Sequence, residues 1–156
     1  MSNQAGQALS VSVRDLLPVE VAYTRCHVEQ AAGNFSDQIR DGFQAVKDWA
    51  MQQGYDISGL RVIGVPQVID GQLKSYDCCI ELPEPVQVNP ETIQTKSLVG
   101  GQYAVLTLEK DSASISDFIG RFFAEYVPEH QLVLDNHRPS YEIYYEHLMD
   151  FCVPIS

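Results

Sequence analysis

The sequence predicts an α+β fold in which one β-α-β-β module is written twice, with an antiparallel sheet and two main helices. Three observations carry this. Apolar residues recur at helical spacing in two stretches, each preceded by one strand-like run and followed by two. The last strand-like run of each half carries the same signature, Asp77-Cys78-Cys79 and Asp150-Phe151-Cys152, and each ends on an apolar-Pro pair. A Pro/Glu-rich stretch from Pro83 to Pro90 separates the halves.

The elements follow in order. A short strand at Ser10–Arg14 and the run Leu17–Thr24 open the first half. A helix from about Ser36 to Gln52 comes next, with Ser36 or Asn34 as its cap and Ile39, Phe43, Val46 and Ala50 on one stripe. Gly54 supplies its stop. Leu60–Val65 and Tyr76–Pro83 are the two strands after it. In the second half, Ile93–Ser97 matches the opening strand, and Gly100–Leu108 leads into the second helix. That helix begins near Ser114 or Ser116 and ends before Pro128, with Ile115, Phe118, Ile119, Phe122 and Tyr126 on its stripe. Tyr141–Glu146 and Asp150–Ile155 complete the chain. The two opening strands are expected to extend the halves they precede. Two equivalent halves, about 10–83 and 91–156, are expected to join through their sheets about a pseudo-twofold axis, with a central ligand cleft flanked by the helices.

At 156 residues the chain supports one compact domain rather than two, and each half alone is too small to bury its own helix and sheet. We read residues 10–156 as that single domain and residues 1–9 as a flexible polar leader, which lacks the basic and apolar regions of a signal peptide. No apolar run reaches the length of a membrane span, so neither a membrane partner nor a membrane location is expected. Cys26, Cys78, Cys79 and Cys152 form neither a disulfide framework nor a metal knuckle, and all fall in strand-like segments. Buried reduced thiols and a cytoplasmic location follow. His27, His130, His137 and His147 show no ligand spacing, so no metal and no cofactor are expected. A formal net charge of -11 repels phosphate backbones and argues against nucleic-acid binding by this domain. The same field draws in cationic ligands or basic protein surfaces, and it equally serves solubility.

The segment Pro139–Glu146 carries the most chemistry. Strand alternation sends Tyr141, Ile143 and Tyr145 to one face and Glu142, Tyr144 and Glu146 to the other. A carboxylate beside aromatic rings loses water and seeks a positive charge or a hydrogen-bond donor. That arrangement suits a cation pocket or a catalytic acid; the other reading is a strand whose polar face meets water. Glu146, at the strand end, is expected in solvent. Trp49 lies off the main stripe of the first helix, where it either caps the core or stacks on a ligand. Tyr76 begins a strand, and Tyr103 lies in an apolar one. Ile63 and Val65 lie on the first-half equivalent of the Tyr141 strand, where they would form an apolar wall opposite Glu142. Of the consecutive pair Phe122 and Phe123, one is core and the other is placed to face the groove. No Ser-His-Asp or Cys-His order suggests covalent catalysis.

Taken in order, Arg14-Asp15-Leu16-Leu17-Pro18-Val19-Glu20-Val21-Ala22-Tyr23, Trp49, Tyr76-Asp77-Cys78-Cys79-Ile80, Gly100-Gly101-Gln102-Tyr103-Ala104-Val105 and Tyr141-Glu142-Ile143-Tyr144 resemble the GyrI-like small-molecule-binding domain. This is the AraC-type, SOUL-related effector-binding domain of multidrug-responsive activators, also found in stand-alone form. The resemblance covers nearly the whole chain from about Val11. It implies non-catalytic binding of hydrophobic, often cationic aromatic ligands, with Glu142 at the floor of the cleft and Tyr144 beside it. Trp49, Tyr76 and Tyr103 match aromatic positions that line the cleft in the family. Stand-alone relatives also imply two alternatives: a hydrolase of strained electrophiles that uses Glu142, or a module that binds a protein such as gyrase or a regulator. The chain departs from the family's Gly-Pro-Tyr-like turns, with Ala31-Ala32-Gly33-Asn34-Phe35 and Lys110-Asp111-Ser112-Ala113-Ser114 in their places. Those turns rim the cleft, so ligand size would differ here.

Overall fold

The elements run β1 (Val11–Leu16), β2 (Val19–His27), α1 (Phe35–Gln52), β3 (Val62–Ile69), β4 (Gln72–Glu81), β5 (Gln94–Leu98), β6 (Gly101–Glu109), α2 (Ile115–Arg121), β7 (Tyr141–Tyr144) and β8 (Leu148–Pro154). They are seen in a computed structural model that describes residues 9–28, 35–85, 93–110 and 114–156. Most of the expected leader, the Asn34 cap, most of the Pro83–Pro90 linker and most of both rim turns lie outside the described residues; Leu9, the last leader residue, packs against the core. Among those described, no helix is long and apolar enough to cross a membrane.

The chain divides into two compact units. One spans residues 17–100 and orders its strands β3-β4-β2-β5; the other joins residues 1–16 to 101–156 and orders its strands β7-β8-β6-β1. Strand pairing within each unit is antiparallel throughout. The two orders are equivalent, so the duplicated β-α-β-β module is real. One expectation is corrected. β1 precedes β2 but pairs with β6, and β5 precedes β6 but pairs with β2. Each module is completed by the strand that precedes the other. The reason lies in Leu17-Pro18, the two residues between β1 and β2. A type I′ hairpin needs positive φ at both residues, which proline's ring forbids, and a type II′ hairpin needs it at the first, where leucine is disfavoured, so β1 does not fold back on β2.

In the unit of residues 17–100, α1 packs Val46 and Ala50 on Ala22, Ile80 and Leu82. Its Ile39 and Phe43 cover Cys26, Tyr76 and Cys78. Gly42 weakens a helix interior by about 1 kcal/mol relative to alanine, but a Cβ there would lie 2.8 Å from Cys78 Sγ. Close approach of helix to sheet therefore selects glycine. All four cysteines are buried and free.

In the other unit, Ala104, Leu106 and Leu108 of β6 and Met149, Phe151 and Val153 of β8 form the helix-facing core with Phe122. The expected stop before Pro128 is not observed. α2 continues through a π-helical turn, Phe122–Tyr126, into a last turn, Val127–Glu129. Pro128 is the second residue of that last turn. β7 is also shorter than expected, ending at Tyr144 and leaving Tyr145 exposed.

The reverse faces are buried as well. Val21, Ile63, Val65, Asp77 and Cys79 line one, and Tyr103, Val105, Tyr141, Ile143 and Cys152 line the other. Strands buried on both faces read as continuous apolar runs such as Cys78-Cys79-Ile80.

Candidate functional site

The strand registers match the two modules residue by residue. Asp77 and Asp150 are equivalent, each preceding the helix-facing residue of its strand, Cys78 or Phe151. Cys78 stands opposite Gly64 on β3, and Phe151 stands opposite Glu142 on β7. Glu142 therefore holds in one module the place that Gly64 holds in the other. The space at Gly64 is taken by Tyr76, whose hydroxyl oxygen lies 1.7 Å from where a Cβ would be built.

On β7 the side chains alternate as strand geometry requires. Tyr141 and Ile143 are buried on the reverse face, while Glu142 and Tyr144 are half-buried on the helix-facing side. The Tyr144 hydroxyl donates to Glu142 Oε1 at 2.9 Å. Across the register lie Phe151 and Met149, both in the apolar core. The carboxylate thus accepts from a phenol, and its residue stands in register with the apolar core. A carboxylate with less hydration than in bulk water attracts more strongly any cation or donor brought to it.

The other residues singled out in the sequence are distributed over both modules. Trp49 is half-buried at the edge of the core beneath α1, with Tyr55, Ile57 and Leu60. Tyr76 is buried on the same helix-facing side, edge-on to Phe43 at 6.0 Å. Tyr103 and Ile63 occupy the reverse faces and are almost fully buried. Tyr103 stacks on Tyr141 at 5.3 Å and donates its hydroxyl to the Pro139 carbonyl at 3.2 Å. The Arg138 guanidinium lies 4.9 Å from its ring centre, and burial pushes its phenol above the ordinary value. The structure therefore brings Glu142 and Tyr144 together, and puts Tyr103 on the opposite face of the same sheet.

Two features escaped the sequence reading. The first is an acid-centred network on the reverse face of the 17–100 unit. Asp77, with no exposed surface, accepts from Arg25 at 2.6 and 3.0 Å, from Lys96 at 2.5 Å and from Gln67 at 3.4 Å. The Tyr23 ring lies 4.3 Å from the Lys96 ammonium. Burial pushes the Asp77 carboxyl up, but the hydrogen bonds and charges of Arg25 and Lys96 outweigh it and hold the group below the usual carboxylate range. Burial also pushes the neighbouring Cys79 thiol up to about 12. The equivalent Asp150 accepts from Thr107 at 2.7 Å and has Arg14 at 3.6 Å. Arg14 and Lys96 hold equivalent places on the exchanged strands. The shared aspartates marked the repeat in the sequence, and an acid inside an apolar strand was the available sign of a buried ion pair.

The second feature is a depression of about 420 Å³ on the helix of the other unit, lined by Ser116, Asp117, Phe118, Gly120, Arg121, Ala124 and Glu125. Arg121 and Glu125 pair across one helical turn at 3.3 Å. No pattern in the sequence marks a concave surface there.

Among solved structures, the chain is similar to the C-terminal domain of EcmrR, with a TM-score of 0.76 and 11% identity over 96% of this chain and 99% of that one. It spans 57% of the EcmrR chain solved in complex with DNA. SAV2435 bound to tetraphenylphosphonium aligns with a TM-score of 0.59 and 13% identity over 94% of both chains. A hydrolase from Listeria innocua aligns with a TM-score of 0.65 and 8% identity, over 94% of this chain and 91% of that one. At these identities the likeness shows a shared fold. No curated protein matches the chain. Residues 10–154 match the GyrI-like small molecule binding domain, and with the duplicated module this places the chain in that family.

Proposed function

We propose that this domain binds small hydrophobic organic cations and that Glu142 supplies the counter-charge. The observation that carries the reading is the placement of Glu142. It is half-buried on the helix-facing side of β7, held by the Tyr144 hydroxyl, and set opposite Phe151. A cation arriving there exchanges water for a carboxylate and for aromatic faces, and each face adds about 0.5–2 kcal/mol. The net charge of -11 concentrates cations at the surface. A protein of similar fold, SAV2435, has been solved with tetraphenylphosphonium. Tyr144 orients the acid. We assign Tyr103 and Ile63, on the reverse faces, to support of the sheets, and Trp49 and Tyr76 to the core beneath α1.

The test is calorimetric titration of wild type and Glu142→Gln with a panel of aromatic cations and their neutral isosteres. Wild type should prefer the cations. Glu142→Gln should weaken them by about 1.5 kcal/mol, roughly tenfold, and leave the neutral compounds unchanged. Equal binding of cations and neutral isosteres by wild type overturns the reading. Turnover of the added compounds that disappears in Glu142→Gln would instead make the domain a hydrolase.

A further inference from the structure

The helix that begins with α2 changes its winding at Phe122. Through Ile115–Arg121 it is α-helical, and at Phe122 it enters a π turn in which the Val127 amide donates to the Phe122 carbonyl. A π turn carries more residues per revolution than an α turn, so consecutive side chains stay closer in direction. Both phenylalanines consequently reach the sheet. Phe122 is fully buried, while Phe123 keeps 40% of its surface exposed. The Phe123 ring meets Phe122 edge-on at 5.1 Å and Phe151 edge-on at 6.0 Å. α2 packs on β6, and β8 lies between β6 and β7. A side chain reaching Phe151 on β8 therefore leans toward β7. Phe151 is the cross-strand neighbour of Glu142. The result is a row of Phe123, Phe151 and Glu142, with an open aromatic surface at one end and a carboxylate at the other. π turns recur at functional sites, and a half-exposed phenylalanine gains nothing from water.

We propose that Phe123 is a ligand-contacting residue that selects aromatic over aliphatic cations, stacking on the ring of the ligand whose charge Glu142 meets. The assignment rests on the binding function proposed above and adds the residue that sets ligand class.

The experiment compares tetraphenylphosphonium with tetrabutylphosphonium, two cations of equal charge, by calorimetry against wild type, Phe123→Leu and Glu142→Gln. Phe123→Leu should weaken the phenyl cation about 3- to 10-fold, as expected for one lost aromatic pair. It should change the butyl cation less than about twofold, while Glu142→Gln weakens both. Loss of both cations alike in a folded Phe123→Leu, or of neither, overturns the assignment, and the function stands as long as Glu142→Gln still weakens binding. No binding of either cation by wild type overturns both. Phe123→Trp keeps the ring and adds a second tryptophan to Trp49. Its added emission should be quenched along the binding curve of the phenyl cation, and emission blind to saturating ligand rejects the contact.

Discussion

Replacing Asp77 with asparagine removes the charge at the centre of a network that ties three strands together, because Arg25 lies on β2, Asp77 on β4 and Lys96 on β5. Asparagine keeps the shape and leaves two cations facing an amide. Breaking a buried ion pair from one side costs about 3–5 kcal/mol. Here the cation side chains keep 41% and 26% of their surface in solvent and can rehydrate, which lowers the expected loss. We expect about 2–3 kcal/mol, midway between a charge-assisted hydrogen bond and a fully buried pair. For a chain of this length that is a fall in Tm of about 5–10 °C. The pH dependence has a definite sign. The folded carboxyl titrates below its unfolded value, so its stabilisation is fully present above about pH 4, the ordinary carboxylate value. It is lost as pH falls through the lower folded value. The gap between wild type and Asp77→Asn, measured by urea unfolding, should be constant from about pH 5 to 7 and narrow below about pH 4. A Tm within about 2 °C of wild type at pH 7, or a gap that ignores acid, refutes the argument.

Three further outcomes follow from close contacts and burial. Gly64→Ala places a methyl 1.7 Å from the Tyr76 hydroxyl oxygen and should destabilise the fold by about 1–3 kcal/mol in urea titrations; adding Tyr76→Met, after its counterpart Met149, should recover most of the loss. Gly101→Ala combines a φ of +122° with an approach of 2.4 Å to Arg138 Nη1, and should lower Tm while disengaging Arg138 from the Ile155 carbonyl it holds at 2.7 Å. The four thiols should resist a disulfide reagent at pH 8 until the protein is unfolded, because all are buried and the Cys79 thiol is pushed up to about 12.

What the sequence revealed, and what it hid, follow from the range of the interactions. The repeat was legible because duplication kept the strand registers, leaving Asp77-Cys78-Cys79 and Asp150-Phe151-Cys152 in equivalent positions. The pairing of Glu142 with Tyr144 was legible because a strand puts residues two apart on one face. The exchange of β1 and β5 was hidden, since pairing partners are set by long-range contacts, although Leu17-Pro18 was there to argue against a tight hairpin. The faces of Tyr103 and Ile63 were hidden for a different reason. Strands buried on both sides lose the alternation that would assign a face. The π turn was hidden because Phe118, Phe122 and Tyr126 satisfy α-helical spacing, and one widened turn leaves that pattern intact. The Asp77 network joins residues 52 and 19 positions apart, beyond the reach of any local pattern.

The duplication also explains why the proposed site has a single acid. Two copies of one module would place two carboxylates at equivalent positions, each needing a cation or a shift in pKa to remain there. Instead, one copy carries Glu142 and the other carries Gly64, whose missing side chain is replaced by the ring of Tyr76. The residue that would stand over Glu142 in the same way is Met149, flexible and without a hydroxyl, while Tyr144 donates to the carboxylate. The first copy therefore uses this position for packing, and stability there follows the volume of Tyr76. The second keeps it polar and partly open, and in the function proposed above binding would follow the charge of Glu142. Substitutions at positions 64 and 76 should act on unfolding free energy, and those at 142 on cation affinity, although 64 and 142 hold equivalent places in the two modules.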